Sequence, residues 1–100
     1  MEKYSEKVLE KKLVNSIKEM GGWAVKFYSE FNTGLPDRIV MLPGGKIYFV
    51  EMKSTGKKQT ALQVAMGEKI KNMGFEVLVI DSEERLYNFL SWVSMPEELL

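Results

Sequence analysis

Asp37 stands directly after Pro36, and fourteen positions later a hydrophobic run ends in Glu51-Met52-Lys53. A strand built for burial that finishes in charge puts a carboxylate at the margin of an apolar core. That is costly unless the group is paired or bound to a cation. In extended chain the side chains alternate, so Ile47, Phe49, Glu51 and Lys53 share one face, while Tyr48, Val50 and Met52 take the other. The runs 38–42 and 46–53 flank the turn Pro43-Gly44-Gly45, and across such a hairpin the start of one strand meets the end of the next. Asp37 is thereby expected beside Glu51 and Lys53. Two carboxylates brought together repel, and a divalent cation relieves the repulsion. The Lys53 ammonium is suited to orienting a water or steadying charge that develops on a phosphate. Each piece alone has a plainer reading: Pro-Asp is a common turn pair, and Glu-x-Lys on a strand is commonly a surface ion pair.

The rest of the chain supplies elements to hold these groups. Leu9, Leu13, Ile17 and Met20 recur at helical spacing over 5–20, and Gly21-Gly22 ends that helix. Residues 23–28 (WAVKFY) read as a strand, and Phe31-Asn32-Thr33-Gly34 as a loop. Strands over 38–42 and 46–53 follow, then the polar loop 54–58. A second helix carries Leu62, Met66, Ile70 and Met73 as its buried stripe and stops at Gly74. Residues 76–80 (EVLVI) form a fourth strand, and Asp81-Ser82-Glu83-Glu84 opens a last helix running to about Trp92. The expected fold is α/β: a mixed four-stranded sheet flanked by helices in the order αβββαβα. The crossover makes the last two strands parallel, and the glycine-rich turn makes its own pair antiparallel. The run 46–53 is apolar on both faces over most of its length, which marks a central, covered strand.

Composition removes several chemistries. The chain has 100 residues, read as one stand-alone domain over 1–100, with 45% hydrophobic residues and neither cysteine nor histidine. Disulfides, thiolate zinc sites, cysteine nucleophiles and histidine bases or ligands are excluded, so any metal must be held by oxygen, which favours Mg²⁺, Mn²⁺ or Ca²⁺. No apolar run approaches the roughly 20 residues of a membrane span, and the N-terminus lacks the apolar core of a signal peptide. A cytoplasmic location without membrane association is expected. The formal net charge is zero, but residues 46–71 carry six lysines against Glu51 and Glu68, and from Glu76 onward six acids face Arg85 alone. A basic middle of this kind fits contact with phosphates, and a solvated mixed surface fits it equally.

The sequence G-x-P-D, then a strand, a glycine-rich turn and a strand ending in E-x-K, resembles the PD-(D/E)xK nuclease superfamily with its restriction-endonuclease-like core. The nearer resemblance is to its virus-type replication-repair nuclease (VRR-NUC) branch, which in outline adds a glutamate on the first helix and a glutamine on the helix after E-x-K. Glu10 and Gln63 match these two places, each eleven residues before a helix-ending glycine, with Glu6 and Gln59 as neighbouring alternatives. The resemblance spans roughly residues 10–80 and leaves out no motif element.

The resemblance implies a Mg²⁺- or Mn²⁺-dependent endonuclease that hydrolyses phosphodiester bonds in DNA. Asp37, Glu51 and the backbone carbonyl of Met52 would hold the metal, with Glu10 acting directly or through water. Lys53 would orient or help deprotonate the nucleophile, and Gln63 would position the lysine or the phosphate. Lys57 and Lys58 are candidates for DNA contact. Related stand-alone domains act on branched DNA such as Holliday junctions, and symmetric cutting of two strands calls for a homodimer. The branch name suggests replication and repair with a phage or viral origin. Leu86, Phe89, Leu90 and Val93 form a helical stripe that either covers the sheet or pairs two subunits. Two other classes remain open: a DNA-binding module of the same fold without cleavage, and a small interaction protein whose charges merely pair.

Overall fold

The computed structural model describes residues 5–27 and 34–95. Tyr28, the loop residues Phe31, Asn32 and Thr33, and the tail beyond Met95 lie outside the described residues. The elements are α1 (Glu6–Glu19), β1 (Trp23–Lys26), β2 (Arg38–Leu42), β3 (Lys46–Met52), α2 (Ala61–Asn72), β4 (Glu76–Ile80) and α3 (Glu83–Val93). This is the α/β order expected from the sequence.

Ser5 starts α1, its hydroxyl oxygen accepting a hydrogen bond from the Val8 N–H, and Glu6 in the first turn and Lys18 in the last complement the helix dipole. Leu9, Leu13 and Ile17 are fully buried along one stripe. The sheet runs in the order β1-β2-β3-β4. β1 and β2 are antiparallel, β2 and β3 are antiparallel with Arg38 opposite Val50, and β3 and β4 are parallel with Glu51 opposite Val79. Gly44 and Gly45 both have positive φ in the hairpin turn, a conformation that a side chain would strain.

One face of the sheet, carrying Ala24, Val40, Val50, Met52 and Ile80, packs against α1 and α3 in a single core. Leu86, Phe89 and Val93 of α3 are buried in it, and Tyr48 meets Phe89 and Trp92 edge-on at 5.6 and 5.3 Å. The α3 stripe therefore covers the sheet.

The other face is covered by α2, and only in part. Of α2 only Gly67 is buried; Leu62 is 46% and Met73 63% exposed. The stripe Leu62, Met66 and Ile70 was expected as core, and here the structure differs. A twelve-residue helix crossing one end of the sheet meets it mainly at Gly67, whose added Cβ would lie 3.7 Å from Val77, while Phe75 reaches Phe49 edge-on at 5.4 Å. Trp23, 67% exposed, and Ile47, both on this face, stay open.

Candidate active site

The hairpin register accounts for the meeting of the two acids. Arg38 lies opposite Val50, so Asp37, one residue earlier, falls beside Glu51 and Met52. The Met52 N–H donates to Asp37 Oδ2 at 2.7 Å, and the Glu51 carboxyl lies within hydrogen-bonding reach of the Asp37 carboxylate. Asp37 is itself held from the other side, where its carbonyl accepts from the Phe27 N–H at 2.7 Å. Beyond β3, the Lys53 N–H donates to the Ile80 carbonyl at 2.9 Å, which prolongs the parallel pairing by one residue. The two strands on either side of β3 thus fix where the E-x-K segment points.

Glu51 is the buried charged residue of the described chain, at 3% exposure. Burial, then the hydrogen bond with Asp37 and the Asp37 charge, push its carboxyl from an ordinary 4.5 up to about 8; Lys53 opposes this, and Glu6 adds to it. The raised value carries a sign. Between about 4.5 and 8 the folded chain holds a proton that the unfolded chain has released, so the contribution of Glu51 to stability is present in acid and lost as pH rises through 8. In EDTA, wild type is therefore expected to lose stability relative to Glu51→Gln from pH 5 to pH 8, as read by paired thermal melts. A constant difference across that range would show that Glu51 is not held protonated.

The other candidates are placed as follows. Lys53 is partly buried, and its charge is felt at Glu51. Glu10 turns to Arg38, with Oε2 accepting from Nε at 3.0 Å. Among the described residues no three acidic, histidine or cysteine side chains converge as a metal cluster, so the carboxylate set is the pair Asp37 and Glu51. Of the two glutamates weighed on α1, it is Glu6 whose charge reaches Glu51. Gln63 sits in a capping box at the start of α2: its N–H donates to Thr60 Oγ1 at 3.1 Å, and its Oε1 accepts from the Thr60 N–H at 2.9 Å. The Thr-x-x-Gln spacing was a sequence signal for this role. Gln59 is partly buried one residue before that cap. Lys57 and Lys58 are exposed on the loop between β3 and α2. Arg38 was missed as anything but a strand residue, and its i-to-i+1 relation to Asp37 is the signal that could have found it.

Hollows of about 270 and 340 Å³ lie between α1 and α3 and between β4 and α3. Neither contains Asp37 or Glu51, which sit instead at the end of the sheet.

A mixed sheet with antiparallel hairpin and parallel crossover, carrying an aspartate against an E-x-K strand end, defines a nuclease domain of the PD-(D/E)xK type. The chain is 43% identical over 76 residues to "Putative nuclease p44" of Acyrthosiphon pisum secondary endosymbiont phage 1, a match that covers 76% of this chain and 82% of that protein. A solved structure described as a VRR_NUC domain superposes with a TM-score of 0.81 at 27% identity, covering 88% of this chain and 97% of that one. No family model matches the sequence. The chain belongs to the VRR-NUC family of nucleases.

Proposed function

We propose that the chain is a Mg²⁺- or Mn²⁺-dependent deoxyribonuclease that cuts branched DNA, such as Holliday junctions, during replication, repair or recombination. The observation that carries this reading is the Asp37–Glu51 pair: two carboxylates hydrogen-bonded together at a strand end, one of them buried and forced towards its neutral form. Such a pair holds an unmet demand for positive charge, and its donors are hard oxygens of the kind these cations prefer. Asp37, Glu51 and the Met52 carbonyl would hold the metal. When bound, the metal would lower the pKa of a coordinated water and offset charge on the scissile phosphate.

The chain's own groups do the rest. Lys53, on the same face as Glu51, orients the attacking water with its ammonium, whose charge steadies the hydroxide as the proton passes to solvent. The Gln63 carbonyl is engaged by the cap, so its amide Nε2 is the group that can donate to a phosphate or help align Lys53. The resemblance implies a role for Glu10 at the metal, directly or through water. Its ion pair with Arg38 and the reach of the Glu6 charge favour Glu6 for that water-mediated place, with Glu10 acting through Arg38. Lys57 and Lys58 contact the backbone phosphates, which position DNA without reading its sequence. Symmetric cutting of a junction calls for a homodimer. Because α3 is spent on covering its own sheet, the dimer contact must use another surface. No helix of the described residues is long and apolar enough to cross a membrane. The phage relative fits action in the cytoplasm of an infected cell.

The test is incubation with labelled four-way junction, flap, linear duplex and single-stranded DNA in Mg²⁺, Mn²⁺ or EDTA. Cutting is expected only with metal and fastest on the junction. Mn²⁺ is also expected to raise the melting temperature of wild type and not of Asp37→Asn. Equal rates on linear duplex would remove the preference for branches. Tight binding without cutting in either metal would favour the inactive DNA-binding module.

A further inference from the structure

Asp37 and Arg38 are consecutive, and at the start of a strand consecutive side chains leave the sheet on opposite faces. Asp37 goes to the Glu51 side, where it meets Glu51 and the Met52 N–H. Arg38 goes to the α1 side, where its guanidinium spans two partners: Nε donates to Glu10 Oε2 and Nη1 to the Ala24 carbonyl, each at 3.0 Å. The two charged side chains are only 16% and 20% exposed, so the pair is screened far less than a surface ion pair. One planar fork thus ties β2 to both α1 and β1 at the residue next to the catalytic aspartate. On Asp37 itself the Phe27 N–H holds the carbonyl.

We infer that Arg38 is a positioning residue: braced by Glu10 and the Ala24 carbonyl on one face of the sheet, it sets the backbone from which Asp37 reaches the site on the other. The inference rests on the proposed metal site at Asp37 and Glu51. It departs from what the family resemblance implies for Glu10. That carboxylate serves the site through Arg38, from the far side of the sheet, rather than by touching the metal. Lysine does not replace the fork, since a single ammonium cannot hold both partners in one plane.

The test is a double-mutant cycle of Glu10→Gln and Arg38→Met, read as the Mn²⁺ concentration giving half the thermal shift. Each single change is expected to weaken Mn²⁺ about tenfold, at the low end for an outer-shell partner. The double variant should be no weaker than either single, because both remove the same brace. Arg38→Lys should recover part of the loss. Additive losses, about 100-fold in the double variant, would place Glu10 on the metal and overturn the inference. Singles with lower melting temperatures in EDTA but unchanged Mn²⁺ half-saturation would reduce the pair to a stability contact, and would overturn it too.

A second readout needs no metal: the amide resonance of Met52, which donates to Asp37. In EDTA, Arg38→Met and Arg38→Lys are expected to move it towards its position in Asp37→Asn while the Leu13 amide stays in place. A stationary Met52 resonance would sink the inference even if Mn²⁺ fails to bind wild type. Failure of Mn²⁺ binding in wild type with a moving Met52 resonance would instead remove the metal reading and leave Arg38 as the residue that positions Asp37.

Discussion

Glu51→Gln is expected to slow DNA cleavage by about 10³-fold, equivalent to about 4 kcal/mol of transition-state stabilisation, without unfolding the chain. The two halves of this result have separate causes. Glutamine matches the carboxyl in shape, and the new amide NH₂ can donate to Asp37 as the protonated acid does, so the 3%-exposed site keeps its packing and its hydrogen bond. What disappears is the negative oxygen donor. With it would go the means of holding the proposed divalent cation against the phosphate, since Asp37 is then the single remaining acid of the pair. In EDTA at pH 8 the variant should melt no lower than wild type, because wild type there has lost most of the stabilisation that its buried proton supplies in acid. Single-turnover cleavage of the preferred substrate and paired melts decide the matter. A variant that cuts within tenfold of wild type would remove Glu51 from the site.

Gly34→Ala should damage both stability and cleavage through one methyl group. Gly34 is buried just before Pro36-Asp37, and a Cβ there would lie 2.6 Å from the Leu62 Cγ, 2.8 Å from the Leu62 carbonyl oxygen and 3.0 Å from its carbon. The leucine side chain is half exposed and can swing away. The carbonyl belongs to the first turn of α2, the turn that carries Thr60 and Gln63, and cannot. Either that turn or the Asp37 loop must give way, at a cost of about 1–3 kcal/mol for overpacking. A displacement near 1 Å at either group is enough to lower the rate by about 10²-fold. Denaturant unfolding and single-turnover cleavage test the two effects separately. Gly67→Ala, at an ordinary helical backbone conformation where an added Cβ would meet Val77 at 3.7 Å, is the control for a glycine substitution outside this contact. Undiminished cleavage by Gly34→Ala would show that the approach of α2 to the loop does not set the site.

The contrast between these two positions shows what was legible beforehand. The Asp37–Glu51 meeting followed from two strands and a glycine turn, because strand alternation and hairpin pairing are local rules that sequence spacing obeys. Gly34 reads in the sequence only as a loop residue. Its role depends on which backbone atom of a distant helix comes to rest against it. The same distinction separates α1 from α2. Leu9, Leu13 and Ile17 were legible as core because α1 lies fully on the sheet, whereas Leu62, Met66 and Ile70 have the same period on a helix that the sheet only half meets. Periodicity reports that a helix has an apolar face; it does not report how much surface is available to cover it.

By itself the sequence determined the order of elements, the central place of β3 and the convergence of an aspartate with an E-x-K strand end. These depend on period, turn chemistry and the chirality of a crossover, all of which act within a few dozen residues. Tertiary structure alone decided how each charged group is spent. Glu10 and Glu6 lie one turn apart on α1, yet the first pairs with Arg38 while the second is felt at Glu51. Glu51 and Glu68 are the same residue type, but one is buried against Asp37 and held near neutrality while the other rests in an exposed pair with Lys71. The ionisation and partner of a carboxylate follow from the water it loses and the charges that arrive beside it, and both are set when distant segments pack.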